Sequence, residues 1–334
     1  WSPKGNYLAF YQKDESNVTN YPLVDITQIP AVLNNIKYPM NGMESEIAKV
    51  GVFSIKHQSV IYLDIDTSDE HYLTNLSWSP DEKFIFLAEV NRDQNHMWFN
   101  IYDATNGKKI KTLFEERNNK WVEPEHAAVF LPNSNSEFLW LSERDGFMNL
   151  YKYDINSSNV SPLTNFSWVI KAIVGFDEGG KNVIILGTGN DGRETRAYKI
   201  NLKNGKFELL TKEPGSHSIQ ISSDGKYILD SYSSMEVPRV VKRKSIKTGK
   251  EETIYTSKNP VEKYQLGTTE FLTLKSEDGA NLYGRIIKPA NFDENKKYPV
   301  LIYVYGGPHA QMVTNSWLGG SNLWMQWMAA EKNY

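Results

Sequence analysis

The sequence has 334 residues, which is enough for one large domain or two ordinary ones with a substantial core. Its composition of 40 % hydrophobic, 23 % charged and 13 % aromatic residues is typical of a globular protein, and the aromatic content favours β structure. A net charge of −3 argues against nucleic acid as a partner, and the lack of cysteine excludes disulfides and thiolate metal sites.

The first predicted elements belong to a repeated unit. Residues 77–87, Ser-Trp-Ser-Pro-Asp-Glu-Lys-Phe-Ile-Phe-Leu, resemble residues 1–10, and weaker copies begin near positions 129, 174 and 221. From Pro80 onward the copies are about 45 to 52 residues apart, close to the period of a four-stranded propeller blade. The repeat therefore predicts β-propeller blades in series rather than a β-sandwich.

Each unit is predicted to contain four strands. In the second unit these include residues 84–90 and 98–102, followed by a return through Asn106-Gly107 into residues 109–114. Asn-Gly between alternating apolar runs indicates a type I′ hairpin turn, in which both central residues have positive φ. Equivalent returns in later units are Asn204-Gly205 and Thr248-Gly249. We count about five blades in residues 1–258 and expect them to be part of a larger ring.

The first unit is longer than the others. The distance from Pro3 to Pro80 exceeds the period, and residues 16–48, which contain three X-Pro steps, look like an insertion within one blade. Strands resume at residue 49. Two complete blades in this space are the alternative, but the prolines and the weak alternation argue against it.

The pattern changes at about residue 259. Residues 272–289 alternate as a long hairpin, and a polar, lysine-rich loop leads to residues 300–305, six consecutive apolar or aromatic residues. A run that is so short and so rich in β-branched and aromatic types predicts a fully buried strand. Gly306, Gly307 and Pro308 then form a turn, where glycine permits positive φ and close backbone approach.

A helix is predicted over residues 321–332. Leu323, Trp324, Trp327 and Met328 recur at helical spacing, and Ser321 or Asn322 is the expected N-cap. Strand, loop, strand, turn and helix in this order are how an α/β-hydrolase domain begins. We therefore expect residues 259–334 to be the N-terminal part of such a domain.

Tyr305 is the candidate catalytic residue. It ends the predicted strand at the loop from which an α/β-hydrolase supplies part of its oxyanion hole, so its phenol is placed to donate to a tetrahedral intermediate. The alternative is that Tyr305 is only an aromatic residue that closes a buried strand. No G-x-S-x-G motif occurs in the sequence, and we assign no nucleophile.

Two other patterns have weaker functional interpretations. Residues 187–192 match the G-x-G-x-x-G of dinucleotide sites, but an alternating strand follows instead of a helix, which indicates a hairpin loop. Glu123, Glu125 and His126 precede a predicted strand at the end of a blade where propellers bind ligands. The two carboxylates would suit a substrate amine, although solvated charges at a rim are the simpler interpretation. The histidines lack metal-binding spacing, and we expect neither a metal nor another cofactor.

Taken together, these residues resemble the dipeptidyl peptidase IV branch of the prolyl oligopeptidase family, in its bacterial form. The most specific stretches are residues 298–308, Tyr-Pro-Val-Leu-Ile-Tyr-Val-Tyr-Gly-Gly-Pro, and residues 282–289. Residues 142–151, beginning Ser-Glu-Arg-Asp-Gly-Phe, and residues 121–124 look like the blades of bacterial members.

The resemblance implies an eight-bladed propeller joined to an α/β-hydrolase domain that holds a Ser-Asp-His triad. Tyr305 matches the family's oxyanion tyrosine, and Gly306, Gly307 and Pro308 match the adjoining loop. The triad has no counterpart here, and the double-glutamate motif that binds the substrate amine is expected upstream of Trp1. Activity of this chain alone is therefore not expected.

The resulting expectation is a portion of a periplasmic or secreted serine exopeptidase that releases dipeptides after Pro or Ala from peptides with a free N-terminus. We expect no membrane span, because no run of 18 apolar residues occurs, and a homodimer for the full-length protein. One alternative is another family member, such as an acylaminoacyl peptidase or an oligopeptidase, which would lack the paired glutamates. The other is a non-catalytic propeller that binds proteins, which would lack a G-x-S-x-G elbow downstream.

Overall fold

The computed structural model describes residues 1–157, 159–332 and 334, and the chain is built mainly of β-strands, as the sequence predicts. It forms two compact units. The first comprises Trp1–Arg144 with Leu150–Pro162, and the second comprises Asp145–Asn149 with Leu163–Tyr334. None of the helices among the described residues has the length and apolar content to cross a bilayer.

The first unit contains three sheets and a separate hairpin. The strands are β1 Tyr7–Asp14, β2 Asn20–Asp25, β3 Val32–Lys37, β4 Ile47–Ser54, β5 Ser59–Tyr62, β6 His71–Trp78, β7 Phe84–Asn91, β8 His96–Asp103, β9 Lys109–Arg117, β10 Val129–Phe130, β11 Glu137–Ser142, β12 Asn149–Asp154 and β13 Asn159–Pro162. The first sheet has the order β1-β4-β5, the second β6-β7-β8-β9 and the third β10-β11-β12-β13. Four strands that pair in chain order are the arrangement of a propeller blade.

The lengthened first unit of the sequence forms one three-stranded sheet. Tyr7 pairs with Ser54 and Asp14 with Ile47, so β1 and β4 are antiparallel neighbours although residues 15–46 lie between them. Within those residues, β2 pairs with β3, and neither joins another sheet of the described chain. This part of the structure thus has one sheet and a protruding hairpin, not two complete blades.

The second sheet buries both of its faces. On β7, Ile85 and Leu87 join a core cluster with Val50 and Val52 of the first sheet. The alternate residues of β7 join a second cluster, made with strands of the third sheet, which contains Phe86, Ala88, Phe99, Phe138 and Trp140. Because successive side chains point to opposite faces, a strand that is buried on both sides becomes a continuous apolar run.

In the second sheet, the Ser-Pro-Asp sequence of residues 79–81 forms the turn between the first two strands. The Ser79 hydroxyl donates to Asp81 Oδ1 (2.7 Å) and accepts the N–H of Phe84 (3.0 Å), while the Ser79 N–H donates to the Phe84 carbonyl (2.9 Å). Glu82, in the left-handed region with φ of 68°, donates its N–H to the Ser79 carbonyl. The same backbone turn recurs at Ser2, Asp177 and Ser222, with Gly5, Gly180 and Gly225 at the left-handed position. The repeat therefore encodes a hydrogen-bonded turn.

The described part of the second unit contains two four-stranded sheets, a hairpin, a short 3₁₀ helix at Trp317–Gly320 and an α-helix. The strands are β14 Ile170–Phe176, β15 Asn182–Gly187, β16 Arg196–Asn201, β17 Phe207–Leu209, β18 Ser216–Ile221, β19 Tyr227–Ser233, β20 Val240–Ser245, β21 Glu251–Thr256, β22 Thr268–Lys275 and β23 Asn281–Lys288. The fourth sheet has the order β14-β15-β16-β17, the fifth β18-β19-β20-β21, and β22 pairs only with β23. Apolar side chains of the fourth and fifth sheets share one core, which includes Ile184, Ala197, Ile219 and Ile228.

The Asn-Gly hairpin returns are confirmed as hairpins, but their predicted turn type is wrong. Between Asp103 and Lys108 the loop has four residues, and the N–H of Gly107 donates back to the Asp103 carbonyl (2.9 Å). Such a loop needs only one left-handed residue, and Gly107, with φ of 75°, supplies it, whereas Asn106 does not have a positive φ. The later returns have the same construction, with positive φ at Gly205 and Gly249.

The predicted buried strand over residues 300–305 is not present. These residues have no regular secondary structure, and Val300, Ile302 and Val304 are 79 %, 82 % and 76 % exposed. A strand of this kind is stabilised by neighbours that pair with its backbone and cover both faces. Among the described residues no strand pairs with this segment, so its apolar side chains remain in contact with solvent.

The predicted C-terminal helix is confirmed, but it buries a different face. Helix α1 spans Leu323–Lys332, and Asn322 caps it by accepting the N–H of Met325 on Oδ1 (3.0 Å). Its buried residues are Gln326 and Ala329, whereas Leu323, Trp324 and Trp327 are about half exposed. The Gln326 amide donates to the hydroxyl of Thr269 in β22 (2.9 Å), so a polar contact joins this helix to the hairpin.

Replacing Phe99 with alanine tests the two-sided burial of the second sheet. Phe99 is fully buried, and its ring lies 4.5 Å from that of Trp140 and 5.1 Å from that of Phe114. We expect Phe99→Ala to lower the free energy of unfolding by about 3–5 kcal/mol, since it removes a packed ring and leaves a cavity. Urea denaturation measures this. Phe147→Ala, at a ring that is 41 % exposed, is the control, and equal losses in the two variants would contradict the packing argument.

Candidate functional site

The Tyr305 loop is shaped by its glycines. Gly306 has φ of 70°, and a Cβ atom placed on Gly307 would lie 2.3 Å from Cε1 of the Tyr305 ring. The ring is therefore folded back over the backbone of residue 307, where no side chain larger than hydrogen fits without displacing it. Pro308 follows, and then His309, which has φ of 58°. The two glycines thus permit this turn and this position of the tyrosine ring.

The phenol of Tyr305 is accessible. The side chain is 65 % exposed, in a segment without regular secondary structure. An accessible phenol that ends a short irregular segment is able to donate a hydrogen bond to a bound molecule, which a tyrosine buried inside a sheet is not. In the described chain Tyr305 is thus exposed rather than buried in a strand, and its catalytic role stays a prediction.

The residues just after the loop are held by Arg285 of β23. Its Nη1 donates to the carbonyl oxygens of Gly319 (2.5 Å) and Met312 (3.3 Å). Burial lowers the pKa of the Arg285 guanidinium, but an arginine remains charged at physiological pH. The cation therefore joins both ends of the segment 312–319 to the hairpin. Sequence reasoning did not single out Arg285, because its partners are carbonyl groups, which have no sequence signature.

Glu123, Glu125 and His126 lie in the first unit, in the irregular connection from β9 to β10. Val122 is buried in the core, and its N–H donates to the Gln94 carbonyl (2.6 Å). Asn75, at a bulge in β6 with φ of 58°, donates from its side-chain amide to the His126 carbonyl. This connection is therefore held at both ends. The candidate residues divide between the two units, with these three in the first and Tyr305 to Pro308 in the second.

Residues 187–192 form a hairpin loop, as the sequence predicts. β15 ends at Gly187 and β16 begins at Arg196, without the helix that a dinucleotide site requires. Gly189 has φ of 61°, and a Cβ atom there would lie 2.3 Å from the hydroxyl of Tyr198. The glycine allows this loop to approach its own sheet closely, because it has no side chain. Within the described part of the chain, no group of three or more His, Cys, Asp or Glu side chains is arranged to hold a metal.

His126 makes the stability of the first unit depend on pH. Burial lowers the pKa of His126, and the Glu125 carboxylate, whose Oε2 lies 4.0 Å from His126 Nε2, raises it by a smaller amount. Below the unfolded-state pKa of about 6.5, the unfolded chain binds a proton more readily than the folded one, so stability falls as the pH is lowered.

We expect His126→Gln to reduce the loss of Tm between pH 7.5 and 5.5 by about 1–2 °C. This corresponds to a fraction of a kcal/mol in the free energy of unfolding. Differential scanning calorimetry at the two pH values measures this. His57→Gln, which replaces a histidine at an exposed turn between β4 and β5, is the control. A His126→Gln variant with the same pH dependence as the parent would refute the assignment.

Comparisons with known proteins agree with this architecture. A protein of Bacteroides ovatus described as a dipeptidyl aminopeptidase IV is 40 % identical, with a TM-score of 0.93 over 99 % of this chain and 50 % of its own. Porphyromonas gingivalis dipeptidyl peptidase 4 is 24 % identical with a TM-score of 0.85, a likeness of fold, over 99 % of this chain and 47 % of its own.

Among curated relatives, the probable dipeptidyl-aminopeptidases B of Coccidioides posadasii and Aspergillus oryzae are each 26 % identical over 94 % of this chain. The match covers 38 % of each relative, so the chain spans well under half of their length. The family model of the dipeptidyl peptidase IV N-terminal region matches residues 1–239. Since this match covers more than half of the sequence, the chain belongs to the dipeptidyl peptidase IV family.

Proposed function

We propose that this chain is part of a serine exopeptidase that releases dipeptides after Pro or Ala from peptides with a free N-terminus. The observation that carries the proposal is the family match over residues 1–239, followed in the same chain by the accessible Tyr305 and its glycine turn. Residues 1–258 would be propeller blades and residues 259–334 the beginning of an α/β-hydrolase domain. Hairpin β22–β23 and helix α1 are consistent with that beginning.

In the full-length enzyme, a serine would attack the carbonyl carbon after the second residue of the substrate. The carbonyl oxygen then carries a negative charge, and the Tyr305 hydroxyl would donate to it together with the backbone N–H that follows the serine. Donors aimed at charge that develops only in the transition state raise kcat rather than substrate affinity. The exposure of Tyr305 and the compact turn after it support this role.

The same proposal gives the propeller the task of selecting substrates. Its blades would admit only peptide ends, and Glu123 and Glu125 would add carboxylates near the substrate's ammonium group, besides the family's double-glutamate motif. Both residues lie in a connection that is held by the core at Val122 and by Asn75 at His126. A fixed connection supports such a role, because carboxylates bind a ligand best when their backbone does not move.

The full-length protein is proposed to be a periplasmic or secreted homodimer. Hairpin β2–β3 supports the dimer, because it projects from the first sheet with Leu23, Val24 and Leu33 44 %, 60 % and 67 % exposed. Exposed apolar side chains in one small element are typical of a contact surface.

Tyr305→Phe in the full-length enzyme tests the catalytic assignment. We expect kcat to fall about 10²–10³-fold with little change in KM, because the lost hydrogen bond forms mainly in the transition state. Steady-state kinetics on a Gly-Pro chromogenic substrate measure both constants. Tyr303→Phe removes another exposed hydroxyl of the same segment and should leave kcat near that of the parent. Near-parental turnover in Tyr305→Phe would rule out the oxyanion role.

The 334-residue chain alone is predicted to be inactive on the same substrate. It contains no G-x-S-x-G elbow, so it offers no serine at the strand-to-helix turn that the proposed reaction requires. Release of chromophore above the buffer rate by the purified chain would show that a nucleophile had been overlooked.

A further inference from the structure

The segment that ends at Tyr305 has no regular secondary structure in the described chain. The contacts made by the residues that follow the Tyr305 loop therefore bear on where its phenol lies. On the downstream side, the attachment is made by residues 312–318, and most of it converges on Asn315.

Asn315 uses its backbone and both ends of its amide to bind two loops. Its backbone N–H donates to the Arg193 carbonyl (2.7 Å), and its Nδ2 donates to Glu194 Oε1 (3.0 Å). Its Oδ1 accepts the N–H of Met235 (3.2 Å). Arg193 and Glu194 lie in the β15–β16 loop, which contains the glycine motif, and Met235 lies in the β19–β20 loop. One side chain thus ties the segment to the fourth and the fifth sheet.

The β15–β16 loop is itself held in place by contacts of Arg193. Arg193 chelates Asp191 through Nε (2.9 Å) and Nη2 (2.8 Å). Its guanidinium carbon lies 4.8 Å from the ring centre of Phe271 and 4.9 Å from that of Tyr283. These two rings belong to β22 and β23, so one arginine joins the loop to the hairpin through cation–π contacts.

The carboxylate of Glu194 accepts a hydrogen bond from the side-chain amide of Asn315. Glu194 is 8 % exposed, its Oε2 accepts from Arg196 Nε (2.5 Å), and its Oε1 accepts from the Asn315 amide. A buried carboxylate needs a partner on each oxygen, because an unsatisfied oxygen carries its full desolvation cost. The Asn315 amide is therefore an integral part of this cluster. A second backbone bond, from Leu318 N–H to the Met235 carbonyl (3.2 Å), reinforces the attachment.

We propose that Asn315 is a positioning residue for the oxyanion donor: it fixes the segment behind the Tyr305 loop to the loops of the fourth and fifth sheets. Arg285 holds the same segment from the hairpin side. The proposal rests on the proposed function of Tyr305. A donor that is displaced by about 1 Å loses much of its effect on the transition state. Asn315 acts through Tyr305 and does not itself contact the substrate.

The first test is Asn315→Ala in the full-length enzyme. We expect kcat to fall about 10- to 100-fold while KM changes less than about threefold, because a misplaced oxyanion donor weakens the transition state. Gln311→Ala is the matched control. It immediately precedes the segment, is exposed, and its side chain donates to the nearby Val313 carbonyl (2.8 Å), so its kcat should match the parent's. Circular dichroism and Tm confirm that the variants are folded, and an unchanged kcat in Asn315→Ala would overturn the proposal.

A double-mutant cycle separates positioning from a general structural role. If Asn315 acts through Tyr305, adding Asn315→Ala to Tyr305→Phe should cost less than about threefold in kcat, since the donor is already absent. If the losses in kcat of the two single variants multiply in the double variant, the positioning role of Asn315 is overturned. The role of Tyr305 then remains intact. If Tyr305→Phe alone keeps full turnover, the proposed function fails, and the role of Asn315 fails with it.

A charge-based variant keeps the test decisive if the alanine variant does not fold. Asn315→Asp places a carboxylate next to that of Glu194, and we expect kcat to fall at least as far as in Asn315→Ala. Adding Glu194→Gln turns this repulsion into an N–H···O hydrogen bond and should recover kcat about tenfold. Folded protein without recovery would count against Asn315 as the attachment.

Discussion

The structure depends on one constraint: a sheet with two apolar faces is not able to cover both of them itself. In the second sheet, Ile85 and Leu87 are buried on one side while Phe86 and Ala88 are buried on the other. Burial on both sides requires a neighbouring sheet on each side, so blades are stable only in series. The side chains of the strands are then used for packing, and the loops at the ends of the strands are left for other roles. The Glu125 and Asn315 regions are both built from such loops.

Much of this architecture was predictable from the sequence because its determinants are local. The turn at Ser79 is closed by Asp81 and Phe84, all within six residues, so a similar short sequence recurs at the turns of Ser2 and Ser222. The hairpin returns were predictable for the same reason, since glycine before a basic residue marks the left-handed position. Their turn type was not, because the number of loop residues depends on which residues pair across the hairpin. Asp103 pairs with Lys108, which leaves room for four residues.

Other features were not predictable because their causes lie far away in the chain. The apolar run at residues 300–305 indicates a strand only if neighbours cover it, and the structure leaves Ile302 82 % exposed. Helix α1 was predictable from its spacing and its Asn322 cap, but its buried face was not. Apolar Trp324 is half exposed while polar Gln326 is buried, because the contact with β22 is made through the Thr269 hydroxyl. Asn315 is joined to Glu194 across 121 residues and carries no sequence signal at all.

The glycine motif at residues 187–192 shows why a loop is interpreted best through its contacts. Its composition suggests phosphate binding, and its strand-to-strand context excludes that. Yet the loop is more than a connection, because Arg193 at its end is held between Phe271 and Tyr283. Residues 312–318, which follow the Tyr305 loop, are held by contacts of the same kind. The blades would then do more than select peptides: their loops would set the geometry in which the proposed oxyanion donor works.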